Sequence, residues 1–166
     1  MKRLIAGLVF VAVGAITMAA PAAQMPSYGA TVTVAKKVDP AKFKTYSWTK
    51  GGPSAIKTVD AQIVAAVDKE LGAVGMSKAS GKPDVLVTYF SIRRTDTDLK
   101  AKPDSAGALP QYPVGTLLVA MLDPGTRKRL VQLRTDKPID VEPAKLEAVI
   151  NAAVAEMFAK YKSTVK

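Results

Sequence analysis

Two segments of the sequence are apolar on both faces of a β-strand, and they constrain the fold more than any other feature. In Asp84–Arg94 and again in Gly115–Leu122, each of the two alternating rows of side chains is apolar. Strands of this kind are normally central in a sheet and covered on both sides. The two rows are Val85, Val87 and Tyr89 against Leu86, Phe90 and Ile92 in the first segment, and Leu117, Val119 and Met121 against Leu118, Ala120 and Leu122 in the second.

Helical periodicity predicts two amphipathic helices, over Thr58–Val74 and Asp140–Tyr161. Thr58 or Asp60 could cap the first helix, Gly75 suits a left-handed exit, and Pro143 suits the first turn of the second helix. The apolar stripes are Val59, Ile63, Val67, Leu71 and Val74 in the first helix, and Leu146, Val149, Ile150, Ala153, Val154, Met157, Phe158 and Tyr161 in the second.

Shorter alternating segments complete the predicted sheet. Thr31–Val38 and Phe43–Trp48 precede the first helix, and a turn at Asp123–Thr126 joins Gly115–Leu122 to Arg129–Thr135. The long polar stretch Thr95–Tyr112 is predicted to be a mobile loop. The order β-β-α-β-β-β-α predicts an α+β fold, with an antiparallel or mixed sheet of about five strands and both helices packed on one face.

This arrangement leaves the second face of the sheet to be covered. Two helices cover one face, yet the central strands are apolar on the other face as well. Three coverings are open: the 95–112 loop with its bulky neighbours, a protein partner or second subunit, or a lipid-like apolar ligand.

The first residues have the layout of a secretory signal peptide. Lys2 and Arg3 precede an uncharged apolar run over Leu4–Met18, which ends in the small residues of 19–23. The run is shorter than the roughly 20 residues that span a bilayer. We therefore predict a cleaved signal peptide over 1–23 with the cut between 20 and 24, a flexible remnant over 24–30, and one α+β domain over 31–166. The mature protein is expected to be soluble and periplasmic, and not membrane-spanning after cleavage.

The absence of two residue types excludes whole classes of chemistry. The chain has no Cys and no His, which excludes disulfides, Ser–His–Asp triads, Cys–His dyads and Cys/His zinc sites. No Gly-rich phosphate-binding motif is present. Asp84, Asp96 and Asp98 could serve a carboxylate-based hydrolase only as a distant alternative, and Asp96, Asp98 and Asp104 lack the other ligands of a calcium loop. The prediction is no enzyme, no metal and no cofactor.

The charge predicts anionic partners. The net charge is +10, which attracts polyanions such as lipid headgroups or anionic envelope polymers, or else keeps the protein soluble. The run Arg127, Lys128 and Arg129 is the candidate anion contact, with hydration as the alternative. Tyr46 and Trp48 could stack on sugars or bases, but their strand spacing favours the core. Nucleic acid is not a predicted partner, because stacking aromatics do not alternate with the basic residues.

The segment Val38–Trp48, with its Lys-Thr-Tyr-x-Trp pattern, resembles the opening signature of a bacterial envelope family, the domain of unknown function 4136. Pro83–Tyr89, Gly115–Leu117, Asp123, Leu130–Val131 and the closing helix are similar as well. Gln132 and Leu133 stand where the family pattern has Trp, and the lipid-attachment Cys is missing. The resemblance implies an α+β fold and an envelope location, and it supplies no activity.

Three functions are therefore open. The first is a non-catalytic periplasmic binding or structural module that contacts an envelope protein, a lipid or an anionic polymer, with a homodimer as one form of it. The second is a carrier of a lipid-like apolar ligand on the second sheet face. The third is the carboxylate-based hydrolase.

Overall fold

The computed structural model describes residues 29–139 and 142–165. The predicted signal peptide over 1–23, residues 24–28 of the predicted remnant, and Asp140 lie outside these ranges. No helix in the described ranges is long and apolar enough to cross a membrane.

The strands form one six-stranded mixed sheet, which confirms the predicted α+β class. Their spatial order is β1-β6-β5-β4-β2-β3; β2 pairs in parallel with β3 and β4, and the other pairs are antiparallel. The strands are β1 (Thr31–Val34), β2 (Thr45–Trp48), β3 (Ser77–Lys78), β4 (Val85–Thr97), β5 (Gln111–Leu122) and β6 (Arg129–Pro138).

The two segments that are apolar on both faces are the central strands of this sheet, as predicted. Three differences from the predicted elements stand out. β1 ends at Val34, four residues early, because the chain turns at Lys36–Lys37, where Lys37 has a φ of 65°. Residues Pro40–Lys42 form a 3-10 helix before β2. The two-residue β3 is an additional strand, and it pairs with β2 at the edge.

Both helices pack on the same face of the sheet. They are α1 (Lys57–Ala73) and α2 (Pro143–Thr164). Their last turns lie together, since Lys162 Nζ is 3.6 Å from Glu70 Oε2. Between helices and sheet lies the core, which includes Leu71, Val87 and Phe158 at 0% exposure. Full burial of one such side chain stabilises the fold by about 2 kcal/mol.

The two ends of α1 differ from each other in how they are closed. The predicted side-chain cap is wrong: Ile56 is the N-cap residue, and no side chain makes a capping hydrogen bond at this end of the helix. The predicted glycine exit is confirmed, since Gly75 has a φ of 84°. Met76 N–H donates to the Leu71 carbonyl at 3.0 Å, which closes the helix with a Schellman motif.

The predicted loop over Thr95–Tyr112 is wrong at both ends. β4 continues to Thr97 and β5 begins at Gln111, with Thr95, Asp96 and Thr97 paired to Pro113, Tyr112 and Gln111. The connection is therefore 98–110, at the end of a long hairpin. The polar side chains of Thr95, Asp96 and Thr97 gave no apolar pattern that would indicate a strand.

The second sheet face is the one that carries Leu86, Phe90, Ile92, Leu118 and Leu122. No described helix packs on it. On this face Phe90 and Ile92 are 41% and 56% exposed, whereas Tyr112 and Val114 are 7% and 0% exposed. The face is therefore covered in part, and the three predicted coverings stay open.

Candidate functional site

A cleft lies between the helices and the sheet, at the N-terminal ends of α1 and α2. It has a volume of about 500 Å³, which is within the range of small-molecule sites. This cleft is on the helix-covered face, whereas a lipid-like ligand on the second sheet face was one of the three coverings left open by the sequence.

Two rows of residues from the three longest strands form the floor of the cleft. The inner row is Ser91, Leu117 and Thr135, and the outer row is Arg93, Gly115 and Lys137, as the strand registers place them. Gly115 leaves the middle of the outer row without a side chain. A Cβ atom there would lie 2.9 Å from Ile139 Cγ2, so close packing of Ile139 requires the glycine.

Apolar side chains from the first turns of both helices form the walls. Their periodicity, which the sequence shows, places them on the faces that look toward the sheet. Gln62 and Thr58 add polar atoms on the α1 side. The apolar wall residues are Val59 and Ile63 from α1, and Leu146, Val149 and Ile150 from α2.

Thr135 is a buried hydroxyl without a partner at the floor of this cleft. The residue is 2% exposed, and its Oγ1 makes no hydrogen bond in the described structure. Such a group costs about 1–3 kcal/mol relative to a satisfied one, and native proteins seldom leave one unpaired.

Positive charge lies at the outer row. The Arg93 guanidinium makes no hydrogen bond or ion pair with the residues that the structure describes. Lys137 differs, because its Nζ is paired with Glu156 Oε2. That contact lowers the pKa of Glu156, opposed by partial burial and assisted by a hydrogen bond from Ala30 N–H. Among the residues that the structure describes, Arg93 is therefore the cation of this row without an acidic partner.

Sequence reasoning missed both Thr135 and Arg93 as site residues. A signal for Thr135 was present: in β6 it occupies the same row as the buried Val131 and Leu133, so a hydroxyl stands where an apolar side chain is expected. Arg93 carried no such signal, since a basic residue after an apolar strand is common.

The predicted anion contact over 127–129 is not assembled as one cluster. Arg127 extends from the β5–β6 turn and donates from Nη1 to Thr49 Oγ1 at 2.7 Å. Arg129 donates to Gln132 Oε1 on its own strand, and Lys128 is exposed in the turn. Each guanidinium already has a neutral partner, and the anion contact stays a prediction.

The aspartates considered for a hydrolase lie apart and hold the backbone or an arginine. Asp84 accepts from the N–H groups of Lys44 and Thr45 at 2.9 and 2.8 Å, which lowers its pKa. Asp96 pairs with Arg94 at 2.8 Å. Asp98 and Asp104 accept turn N–H groups in the 98–110 connection. Within the described ranges, no three acidic residues are grouped so as to hold a metal ion.

Tyr46 and Trp48 belong to the helix-covered face, as predicted. Both donate to Asp68 Oδ1 of α1, the Tyr46 hydroxyl at 2.7 Å and Trp48 Nε1 at 2.9 Å. Lys78 of β3 pairs with the other oxygen of Asp68 at 2.8 Å. Burial, followed by this hydrogen bond, raises the pKa of Tyr46. The Tyr-x-Trp pattern therefore joins β2 to α1 and is not available for stacking on a ligand.

A second cleft of about 410 Å³ lies at the opposite ends of the helices. Its lining includes Phe43, Met76, Tyr161 and Val165. The Tyr161 hydroxyl already has the Pro40 carbonyl as acceptor at 3.5 Å. No unpartnered buried side chain was found at this cleft in the described residues, so it is the weaker candidate.

Comparisons with known proteins agree with the resemblance in the sequence. A family model described as Domain of unknown function (DUF4136) matches residues 31–161. No curated protein matches the sequence.

Solved structures share the fold at low identity. A PDZ domain protein from Parabacteroides distasonis has a TM-score of 0.56 at 16% identity, over 81% of this chain and 36% of that one. This chain thus corresponds to about a third of that protein. The PelC dodecamer from Paraburkholderia phytofirmans has a TM-score of 0.52 at 9% identity, over 80% and 96% of the two chains. A DUF4136 family protein from Bacteroides thetaiotaomicron, at 11% identity over 84% and 97%, has a TM-score of 0.48.

Proposed function

This chain belongs to the family described as Domain of unknown function (DUF4136), and we propose that it is a non-catalytic binding module of the bacterial cell envelope. It holds an apolar ligand in the cleft between its helices and its sheet. The sequence left open a carrier of a lipid-like apolar ligand, with that ligand on the second sheet face. The cleft lies on the other face.

The observation that carries this proposal is the cleft of about 500 Å³ with apolar walls from both helices. An empty gap between helices and sheet lowers the free energy of unfolding, because the residues around it lose packing contacts. The unpaired Thr135 hydroxyl beneath it lowers that free energy further. A bound molecule fills the gap and removes the first of these costs. Mostly apolar walls with a few polar groups at fixed positions are the usual composition of small-molecule sites.

The engagement of the acidic residues supports a non-catalytic role. A general acid or base needs a free carboxyl group near the reacting atoms. Asp84, Asp96, Asp98 and Asp104 each accept hydrogen bonds that hold the fold, and none of them lines the cleft.

The leader pattern supports the envelope location. Lys2, Arg3 and the apolar run over 4–18 have the composition that directs a chain to export. A basic mature protein suits a compartment whose lipids and polymers are anionic.

Binding of Nile red, an uncharged apolar dye, tests the proposal. We expect saturable fluorescence enhancement with the wild-type protein. Ser91→Trp places an indole on the exposed floor position of the cleft and should weaken dye binding at least tenfold. Ser47→Trp makes the same change on the second sheet face, where β2 pairs with Leu86, and should leave binding unchanged.

Thermal unfolding followed by circular dichroism verifies that both tryptophan variants are folded. Absence of saturable dye binding by the folded wild-type protein would contradict the proposed function. Equal loss in both tryptophan variants would place the apolar site outside the cleft.

A further inference from the structure

We propose that two copies of this chain associate edge to edge, by antiparallel pairing of β4 with the β4 of a second copy about a two-fold axis at Thr95. This inference goes beyond the proposed function and does not depend on a ligand in the cleft. It combines three features of β4: an open backbone edge, a self-complementary pair of charges, and exposed apolar side chains at both ends of that edge.

The edge of β4 that faces β2 is open over the last residues of the strand. On this side Ser91 N–H donates to the Gly52 carbonyl at 2.9 Å, and the chain then leaves the edge toward α1. Arg93, Thr95 and Thr97 follow Ser91 in the same alternation, so their N–H and C=O groups point out of the same edge. No described residue pairs with those groups. Such a row of unpaired groups can accept a further strand.

A further strand would stabilise this end of the hairpin. β6 ends at Pro138, opposite Val114 of β5. The pairs of β4 and β5 beyond that point, such as Thr95 with Pro113 and Thr97 with Gln111, therefore have β6 on neither side. Two strands alone are marginally stable in water, whereas three or more support one another.

The charges of β4 favour a second copy as that strand. Arg94 and Asp96 lie on the same face of β4 and pair with each other at 2.8 Å. Antiparallel pairing about Thr95 places Arg94 of each copy opposite Asp96 of the other, so that the two ion pairs join into one network of alternating charge. An axis one residue to either side would place Arg94 opposite Arg94, or Asp96 opposite Asp96. Like charges directly opposite each other destabilise a sheet.

The same register pairs the open backbone groups. Thr95 lies opposite Thr95 of the second copy, and Arg93 of each copy lies opposite Thr97 of the other. These are the residues whose N–H and C=O groups point out of the edge, and each such pair in an antiparallel ladder exchanges two hydrogen bonds. The contact is the same on both copies, so the assembly closes at a dimer.

Exposed apolar side chains lie at both ends of the edge. Ile56 and Ile92 are exposed beside Ser91, and Leu99 is 81% exposed just after the other end of β4. Counting on from Thr97 in the register about Thr95 brings Leu99 of one copy to Ser91 of the other. Association therefore removes apolar surface from water at each end of the contact, which favours the dimer.

Sedimentation velocity of the mature protein tests the association. Small interfaces are weak, so the protein concentration should extend to about 300 µM, and we expect a monomer–dimer equilibrium for the wild type. Thr95→Pro removes an N–H from the open edge, where a strand tolerates proline. It should weaken dimerisation about tenfold, because both hydrogen bonds between the two Thr95 residues are lost. Thr95→Val is the matched control, since it keeps the N–H and the β-branch, and it should dimerise like the wild type.

Disulfide crosslinking tests the register. The chain has no Cys, so Thr95→Cys introduces a single thiol. At the axis the two Cα atoms would be about 5.5 Å apart, which is within disulfide range. Thr97→Cys is the control on the same edge, where the two Cα atoms would be at least about 13 Å apart, because four residues separate them along the strand. Mild oxidation should convert Thr95→Cys to a covalent dimer and leave Thr97→Cys mostly monomeric.

The outcomes decide between this dimer and other uses of the edge. A wild-type protein that stays monomeric over the whole range would overturn the proposal and leave the edge to a strand of another protein or to solvent. A dimer that Thr95→Pro leaves unchanged, or equal crosslinking of the two cysteine variants, would overturn the assignment to β4. If circular dichroism shows that Thr95→Pro is unfolded, the two cysteine variants decide. Nile red binding is measured separately, so failure of the dimer and failure of the proposed function are distinguishable.

Discussion

Asp136 is the residue on which most of the polar contacts of the second sheet face converge. Arg94 Nη1 lies 2.6 Å from Asp136 Oδ1, and Arg134 Nε lies 3.2 Å from its Oδ2. The Thr116 hydroxyl also donates to it. Burial alone would raise the pKa of Asp136, yet hydrogen bonds from Thr116, Arg94 and Arg134 lower it to about 2.

This shift predicts how stability depends on pH. Because the pKa of Asp136 is about 4 in the unfolded chain and about 2 in the folded protein, its contribution is complete above pH 4. It is lost as the pH falls from 4 to 2. We expect Asp136→Asn to lower the free energy of unfolding by about 2 kcal/mol at pH 7, measured by urea denaturation.

The same measurement at lower pH gives the check. The difference between wild type and Asp136→Asn should shrink between pH 4 and 2. Asp104→Asn is the matched control, because its carboxylate accepts only turn N–H groups and an amide oxygen can replace it. A difference that is constant with pH would show that Asp136 does not act through its charge.

At the scale of elements, one glycine inside α1 and another just after its end have opposite structural roles. Gly72 lies inside the helix and a Cβ atom there would have nothing within 4 Å. Gly75 lies after the helix with a φ of 84°, where a side chain is strained. The closing hydrogen bond from Met76 to Leu71 depends on this left-handed residue.

Alanine at the two positions should therefore shift stability in opposite directions. Gly72→Ala should stabilise the protein by up to about 1 kcal/mol, because alanine favours the helix. Gly75→Ala should destabilise it by about 1 kcal/mol, because alanine is strained at positive φ. Urea midpoints measure both. Each variant serves as the control for the other, and changes of the same sign would contradict the assigned end of α1.

The long hairpin shows how far an element can be recognised from its residues. The apolar parts of β4 and β5 were predicted, because their burial requires apolar side chains. The ends around Thr97 and Gln111 were not, because the residues before and after the turn are mostly polar. The helical spacing of apolar residues predicted the positions of both helices. The sequence did not predict where α1 begins, because no side chain caps its first turn.

At the scale of the whole molecule, the proposed export gives a test that is independent of ligand binding. In its host bacterium, the mature protein should be found in the periplasmic fraction, with an intact mass that places the cut between residues 20 and 24. The control is the double change Lys2→Glu and Arg3→Glu, which removes the positive start of the leader and should hold the chain in the cytoplasm.

Two results would contradict the export proposal. One is a full-length mass in the cytoplasmic fraction of wild-type cells. The other is an unchanged distribution of the double variant, which would show that the first residues do not act as a leader.

The sequence by itself determined the fold class, the central strands and the two helices, because burial on one or two faces leaves a periodic apolar pattern. It also determined which chemistry is absent, since no His or Cys exists to perform it. The sequence indicated only part of the role of Tyr46 and Trp48. Their spacing predicted that they lie in the core, but it did not show their shared acceptor Asp68, which lies 20 residues or more along the chain.

Only the tertiary structure decided where a ligand could bind. The cleft joins residues from α1, α2 and three strands that are far apart in sequence, and its volume depends on how the helices lie across the sheet. Whether the Thr135 hydroxyl has a partner depends on the same packing. A sequence pattern shows which face of an element is buried, but it does not show where two buried faces fail to meet.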